Sequence, residues 1–309
     1  MHNLATLPTQ NNDLLLNVFL NQFESENTKK AYSSDIKLLF MFCDVQNINI
    51  NSMLPAHLSF FINGCSNYSS SSKNRIISSI KSFFKWLHNN KIIKDNPSTA
   101  LRIYSKTVKQ STLAFTDEEA HELKYTPNLN QIGGNWHNLA LILLFNLGLR
   151  RSELVNIKVG DIKDDRGYKI LNILGKGNKI RAVTLNDHVQ NAINDYLRRY
   201  SQLTGHILSD NDYLLQKGSK LSNKPINTST VLRMVKKYAK MIGVDRRVSP
   251  HSCRATVISH LLEKKVSIRN VADLAGHSSI VTTQLYDKKR DGYSNSASFE
   301  VNYEGCESI

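Results

Sequence analysis

Gly148-Leu149-Arg150-Arg151-Ser152-Glu153-Leu154 decides how this chain of 309 residues reads. The preceding run, Trp136 to Leu147, is apolar enough for a buried helix, and Gly148 stops it, so Arg150 emerges at a helix end where a side chain can face a site. Further short polar motifs follow: Gly175-Lys176-Gly177-Asn178-Lys179, His251-Ser252-Cys253-Arg254 and Leu274-Ala275-Gly276-His277-Ser278-Ser279-Ile280, with Tyr286 nine residues after His277. Alone, each is weak. Gly-Lys-Gly-Asn suits an ordinary surface turn, and a histidine beside Pro250 suits a cap or a packed core. In this order they point to one site.

The residue types suit attack on a phosphodiester without a metal. Charge gathers on the non-bridging oxygens as an attacking oxygen adds, and guanidinium groups grip two such oxygens while staying charged at any working pH. A tyrosine hydroxyl can become a covalent phosphotyrosine, dividing one hard step into two. A lysine on a turn or a histidine can protonate the departing oxygen, and a histidine can take the tyrosine proton. A Walker loop does not fit Gly175-Lys176-Gly177, because it needs four residues between its glycines and Ser or Thr after its lysine.

On these residues the chain resembles the tyrosine recombinase (phage integrase) family, with Xer-type recombinases and transposon resolvases nearest in pattern. The family pattern is Gly-Leu-Arg-x-Ser-Glu-Leu, Gly-Lys-Gly-x-Lys, His-x-x-Arg, Leu-Gly-His and a tyrosine nine residues on, matched here up to Tyr286. The resemblance implies phosphate clamps at Arg150 and Arg254, an acid for the 5′ leaving oxygen at Lys176 and a general acid/base at His251. It also implies a further donor at His277, support behind the site from Glu153 and a nucleophile at Tyr286, with Tyr293 as the fallback. Three positions depart from the pattern: Cys253 for Leu, Ala255 for His and Ala275 for Leu. None is a catalytic position.

The function so implied is site-specific recombination, cutting and rejoining DNA through a 3′-phosphotyrosyl intermediate and a Holliday junction. The outcome would be integration, excision or resolution of a mobile element or replicon. Expected partners are double-stranded DNA with inverted half-sites, a homo-tetramer with a dimer per site, and accessory DNA-bending proteins, with no cofactor. Two alternatives stay open at this point: a type IB topoisomerase-like enzyme, and a DNA-binding regulator that does not cut.

Composition agrees with a polyanionic partner. Forty lysines and arginines against 26 acids give a formal net charge of +14 and a pI near 9.5. Cys43, Cys65, Cys253 and Cys306 form neither a disulfide framework nor a zinc spacing. His251, Cys253 and His260 are followed by no second ligand pair, so no metal is expected. Met1-His2-Asn3 does not begin a signal peptide, and the longest apolar stretch, Leu139 to Phe145, is too short for a bilayer. A cytoplasmic, nucleoid-associated protein with no membrane contact is expected.

The expected fold is mainly α with a small β-sheet. Tyr32, Ile36, Leu39, Phe40 and Cys43 make one apolar stripe, and Ile76, Ile80, Phe83, Phe84 and Leu87 repeat its spacing, predicting amphipathic helices over 28–43 and 70–89. With shorter helices over 13–23 and 55–64 they form a four-helix unit, which the resemblance identifies as a core-binding (SAM-like) domain over 1–104. Lys29, Lys30, Lys37, Lys73, Arg75 and Lys81 decorate its polar faces, either as solvated charge or, as adopted here, as DNA contacts. Asn96-Pro97 breaks helix. The aperiodic stretch 105–113 reads as a linker, leaving 114–309 as an α+β catalytic domain with a tail from about 287. Thr116 and Glu119 form a capping-box pattern, strands are expected over 169–174 and 179–185, and helices over 187–200, 228–242, 251–263 and 268–274.

Overall fold

The structure is a computed structural model that describes residues 12–104, 113–175 and 179–287. The chain divides into two compact units, Met1–Lys109 and Gln110–Ile309.

In the first unit four helices pack around one core: α1 (Asn12–Leu20), α2 (Glu26–Gln46), α3 (Pro55–Gly64) and α4 (Ser70–Asn89). Both predicted stripes face inward, with Ile36, Leu39, Phe40 and Cys43 meeting Ile76, Ile80, Phe83, Phe84 and Leu87. Phe19 of α1 fills the junction, edge-on to Phe83 and stacked on Tyr32. Helix α2 runs three residues past the predicted Cys43, because its stop is Asn47 in the left-handed conformation, a residue that tolerates positive φ. One polar feature lies within this apolar packing. The buried Asp35 carboxylate accepts hydrogen bonds from Arg75 Nη1 (2.5 Å) and Ser79 Oγ (2.7 Å), tying α2 to α4.

The second unit opens with α5 (Asp117–Tyr125), capped reciprocally by Thr116 and Glu119 as the sequence pattern requires. Its central α6 (Ile132–Leu147) buries nearly every apolar side chain and ends at Gly148, whose φ of +58° only glycine adopts freely. A short α7 (Arg151–Asn156) follows at once. Three antiparallel strands come next, β1 (Ile162–Asp165), β2 (Tyr168–Leu174) and β3 (Ile180–Thr184), in the order β1-β2-β3. Leu171 pairs with Val183, and with Ile173 they give the sheet its buried face.

Four further helices, α8 (Asp187–Thr204), α9 (Thr228–Met241), α10 (Pro250–Glu263) and α11 (Ile268–Ala275), match the predicted segments within a few residues. The sequence reading did not anticipate α7, β1 or α12 (Ile280–Asp287), all of them too short to display a period. Helix α10 occupies the centre and packs on α5, α6, α9, α11 and α12. Thr256 Oγ1 on α10 accepts the Phe115 N–H at 2.8 Å, and Arg246 forks onto Glu119 while donating to Ala114 O. The segment entering this unit is thereby fixed to the helix that carries His251 and Arg254. The linker residues 105–112 lie outside the described residues.

Asp35→Ala is expected to lower the stability of the first unit by roughly 1–3 kcal/mol through loss of the charge-assisted hydrogen bonds that tie α2 to α4, while the Ser79 hydroxyl keeps the Arg75 carbonyl at 3.1 Å. The Arg75 side chain is 45% exposed and can rehydrate. Urea unfolding of the full chain measures this, and an unchanged midpoint would show that the cluster contributes nothing.

Candidate active site

Arg150 is the N-cap of α7, held in extended conformation two residues after the glycine stop, so its side chain leaves the backbone at the junction of two helices. The Glu153 carboxylate, one turn on, accepts both the Arg150 backbone N–H (2.9 Å) and Arg150 Nη1 (2.6 Å). Arg150 Nη2 then reaches Gly276 O at 2.8 Å, linking α7 to the end of α11. Gly276 caps α11 with φ +62°. Arg254, one turn along α10 from His251, is 1% exposed and donates to Gly148 O (2.7 Å) and Ala275 O (2.5 Å). Two helix-terminating segments therefore supply the carbonyls that orient both guanidiniums.

A third guanidinium was missed in the sequence. Arg181 on β3 donates from Nη1 and Nη2 to the two Glu153 oxygens (3.0 and 2.9 Å) and from Nε to Leu274 O (3.2 Å). Its only sequence signal is its place just after the Gly-Lys-Gly-Asn turn, and one arginine in an exposed-looking strand does not stand out among so many cations. Burial pushes the Glu153 pKa up, but hydrogen bonds from Arg181 and Arg150 outweigh it, so the carboxylate sits below its ordinary value and stays charged.

Tyr286, on α12, places its hydroxyl 3.3 Å from His251 Nε2. Its ring lies against the small core of Ile258, Leu262, Val271 and Ala275 and stacks on the His277 ring, with 6.2 Å between centroids. His277 Nδ1 is hydrogen-bonded to Thr283 Oγ1 at 2.8 Å. Burial raises the Tyr286 pKa, with Arg254 and Arg150 pulling the other way, so the hydroxyl is protonated near neutrality. Burial, then Arg254 and Arg150, lower the His251 pKa, and the same causes lower His277 to about 4. Burial and Arg150 push Arg254 down to about 10, which still leaves it charged. The resting site thus pairs a neutral hydroxyl with a neutral imidazole beside three guanidiniums and one carboxylate.

A cavity of about 800 Å³ opens on Arg150, His251 and Arg254, with Arg151, Lys236 and Arg247 also on its wall. Five of the six predicted catalytic residues are accounted for within the one unit: Arg150, His251, Arg254, His277 and Tyr286. Lys176 and the tail that includes Tyr293 lie outside the described residues. In the first unit Lys30 and Lys37 are exposed, Lys29 pairs with Glu26 at 2.9 Å, and Lys73 lies over the Tyr104 ring. Lys81 is half-buried, and Arg75 is engaged by Asp35. Among the described residues, no three His, Cys, Asp or Glu side chains gather as a metal-binding group, and no helix is long and apolar enough to cross a membrane.

The sequence matches the domain family described as Phage integrase family over residues 114–292, and the one described as Phage integrase, N-terminal SAM-like domain, over residues 13–91. A tyrosine recombinase of Pseudothermotoga lettingae is 33% identical over 266 residues, covering 85% of this chain and 87% of the relative. The fold is shared with XerH site-specific recombinase bound to palindromic difH substrate in a post-cleavage complex, with TM-score 0.72, 18% identity and coverage of 95% and 97% of the two chains. It is also shared with a lambda integrase tetramer bound to a Holliday junction, with TM-score 0.66, 19% identity and coverage of 90% and 77%.

In the DNA-free chain the His251 ring is expected to titrate below 6.5 and His277 at about 4. The unfolded chain takes up these protons first, so stability present above the ordinary histidine value is lost as the pH falls toward 4. Ring-proton NMR across pH 4–8 checks this. Either ring titrating above 6.5 would contradict the electrostatics described.

Proposed function

The chain belongs to the phage integrase family of tyrosine recombinases, DNA strand-transferring enzymes that act in site-specific recombination, and from that premise we propose that Tyr286 attacks a DNA phosphodiester to form a 3′-phosphotyrosyl link. The observation that carries this reading is the contact between the Tyr286 hydroxyl and His251 Nε2 at 3.3 Å, beside Arg150 and Arg254. His251, neutral at rest, takes the phenol proton as the tyrosine oxygen bonds to phosphorus. Arg150, Arg254 and His277 hold the non-bridging oxygens as their charge grows. The bond to the 5′ oxygen breaks, and Lys176 supplies the proton that makes it a hydroxyl. That hydroxyl then attacks the phosphotyrosine of the partner strand and restores the tyrosine.

The proposed substrate is double-stranded DNA carrying inverted half-sites. The basic first unit would grip the backbone through Lys29, Lys30, Lys37, Lys73 and Lys81, with Arg75 held mainly in its ion pair. A dimer on each site and a tetramer at synapsis, exchanging strands through a Holliday junction, are supported by the lambda integrase tetramer on such a junction. The product would be integration, excision or resolution of a mobile element or replicon, aided by accessory DNA-bending proteins. A cytoplasmic, nucleoid-associated location follows from such a substrate.

A duplex selected from a random-sequence library by the wild-type chain, nicked near its centre as a suicide substrate, tests the chemistry. Wild type is expected to form a covalent complex in EDTA as well as in Mg²⁺, and Tyr286→Phe none. An absolute Mg²⁺ requirement, or trapping by Tyr286→Phe, would overturn the assignment. Relaxation of supercoiled DNA lacking the selected site would favour a topoisomerase. Arg150→Ala is expected to bind the duplex almost normally and to lose roughly 3–4 kcal/mol of transition-state stabilisation. Lost binding with normal cleavage of whatever DNA is bound would remove Arg150 from its role.

A further inference from the structure

We propose that Arg181 is a positioning residue for the phosphodiester site: it occupies Glu153 so that Arg150 stays directed toward the reacting phosphate. This rests on the function proposed above and adds a residue to it. All three guanidinium nitrogens of Arg181 are engaged by protein, two by Glu153 and one by Leu274 O, so Arg181 acts through its neighbours. Each Glu153 oxygen accepts two hydrogen bonds, one from Arg150 and one from Arg181. With Arg181 in place the Glu153 side chain is 3% exposed, so its oxygens are paired by protein donors.

The consequence concerns Arg150. With Arg181 present, Glu153 is satisfied from two sides, and Arg150 can spend Nη2 on Gly276 O. Without it, one buried carboxylate has a single counterion, and the Arg150 guanidinium turns further onto Glu153 and away from Gly276 and the cavity. The local balance also drops, from three guanidiniums against one carboxylate to two against one.

Arg181 packs directly against Gly276. A Cβ on Gly276 would lie 2.8 Å from Arg181 Nη1, so the residue before His277 is shaped to admit this guanidinium. The same Nη1 would lie 3.8 Å from a Cβ on Gly175, just past the end of β2. One side chain thus links β3 to the start of α7, where Arg150 sits, and to the end of α11, just before His277.

The test uses the full chain on the nicked, library-selected duplex, with Arg181→Ala and Arg181→Lys, each alone and on a Glu153→Gln background. Arg181→Ala is expected to bind within about twofold of wild type but to form covalent complex roughly 10- to 100-fold more slowly, the range for groups that support a site from behind. Arg181→Lys is expected to recover part of that rate. On the Glu153→Gln background Arg181→Ala should cost much less than alone, because the carboxylate through which it acts is gone. A fully additive loss, or slow cleavage matched by an equal loss of binding, would overturn the proposal.

A second measurement does not depend on cleavage. Inorganic sulfate titrated into the DNA-free chain, followed by the His251 and His277 ring resonances, reads the cation pocket directly. Arg181→Ala and Arg181→Lys should both weaken sulfate binding, alanine the more. Unchanged affinity in folded Arg181→Ala overturns the positioning role. Failure of wild type to form covalent complex while sulfate affinity responds to Arg181 would instead sink the strand-transfer chemistry and leave the positioning role standing.

Discussion

The Glu153 carboxylate is the interaction on which the site depends. It is buried, charged and shared between the guanidiniums of Arg150 and Arg181, and it caps the first turn of α7 through the Arg150 N–H. A buried carboxylate tolerates such a position only when its oxygens are saturated with good donors. Here the donors come from two parts of the chain that meet nowhere else in sequence, the break after α6 and strand β3. Folding the carboxylate in therefore assembles the site, and neither arginine can move without leaving the other's partner exposed to a low dielectric.

Arg254 is placed under the opposite condition. It is as buried as any core residue, yet its direct partners are two backbone carbonyls, Gly148 O and Ala275 O. Carbonyl dipoles orient a cation without neutralising it. The nearest formal negative charge, Glu153, is already committed to two other guanidiniums. The site therefore carries more positive than negative charge, an excess that the phosphate of the proposed substrate would offset. Burial first, and this excess second, hold both site histidines neutral, with Arg254 and Arg150 acting on each ring.

The sequence displayed the parts that repeat or carry rare chemistry. The stripes of α2 and α4, the glycine stop of α6, the capping box of α5 and the His251–Arg254 spacing were all legible, because period and residue type alone determine them. What stayed hidden depends on tertiary context. Helix α12 has only eight residues and little apolar periodicity, so Tyr286 could be found by its distance from His277 but not by the element that holds it. Arg181 is invisible for a related reason. Its meaning lies in partners 28 residues before it and 93 after, Glu153 and Leu274, and no local pattern records either. Arg75 carries the converse lesson: a cation on a polar-looking helix face proves to be engaged by buried Asp35.

The resting electrostatics also bear on how the proposed reaction is timed. Near neutrality the phenol keeps its proton, because burial raises its pKa more than Arg254 and Arg150 lower it. His251 is a poor base in the same state, since burial first, and then those two guanidiniums, disfavour its protonated form. A phosphate bound between Arg150 and Arg254 adds negative charge where both act. That raises the basicity of His251, while the growing charge on the phosphate oxygens makes an imidazolium beside them favourable. In the proposed reaction, the bound phosphate would therefore assist proton transfer over the 3.3 Å contact. On the proposed mechanism, a covalent intermediate gains from this coupling, because the nucleophile would be armed by the same phosphate it attacks.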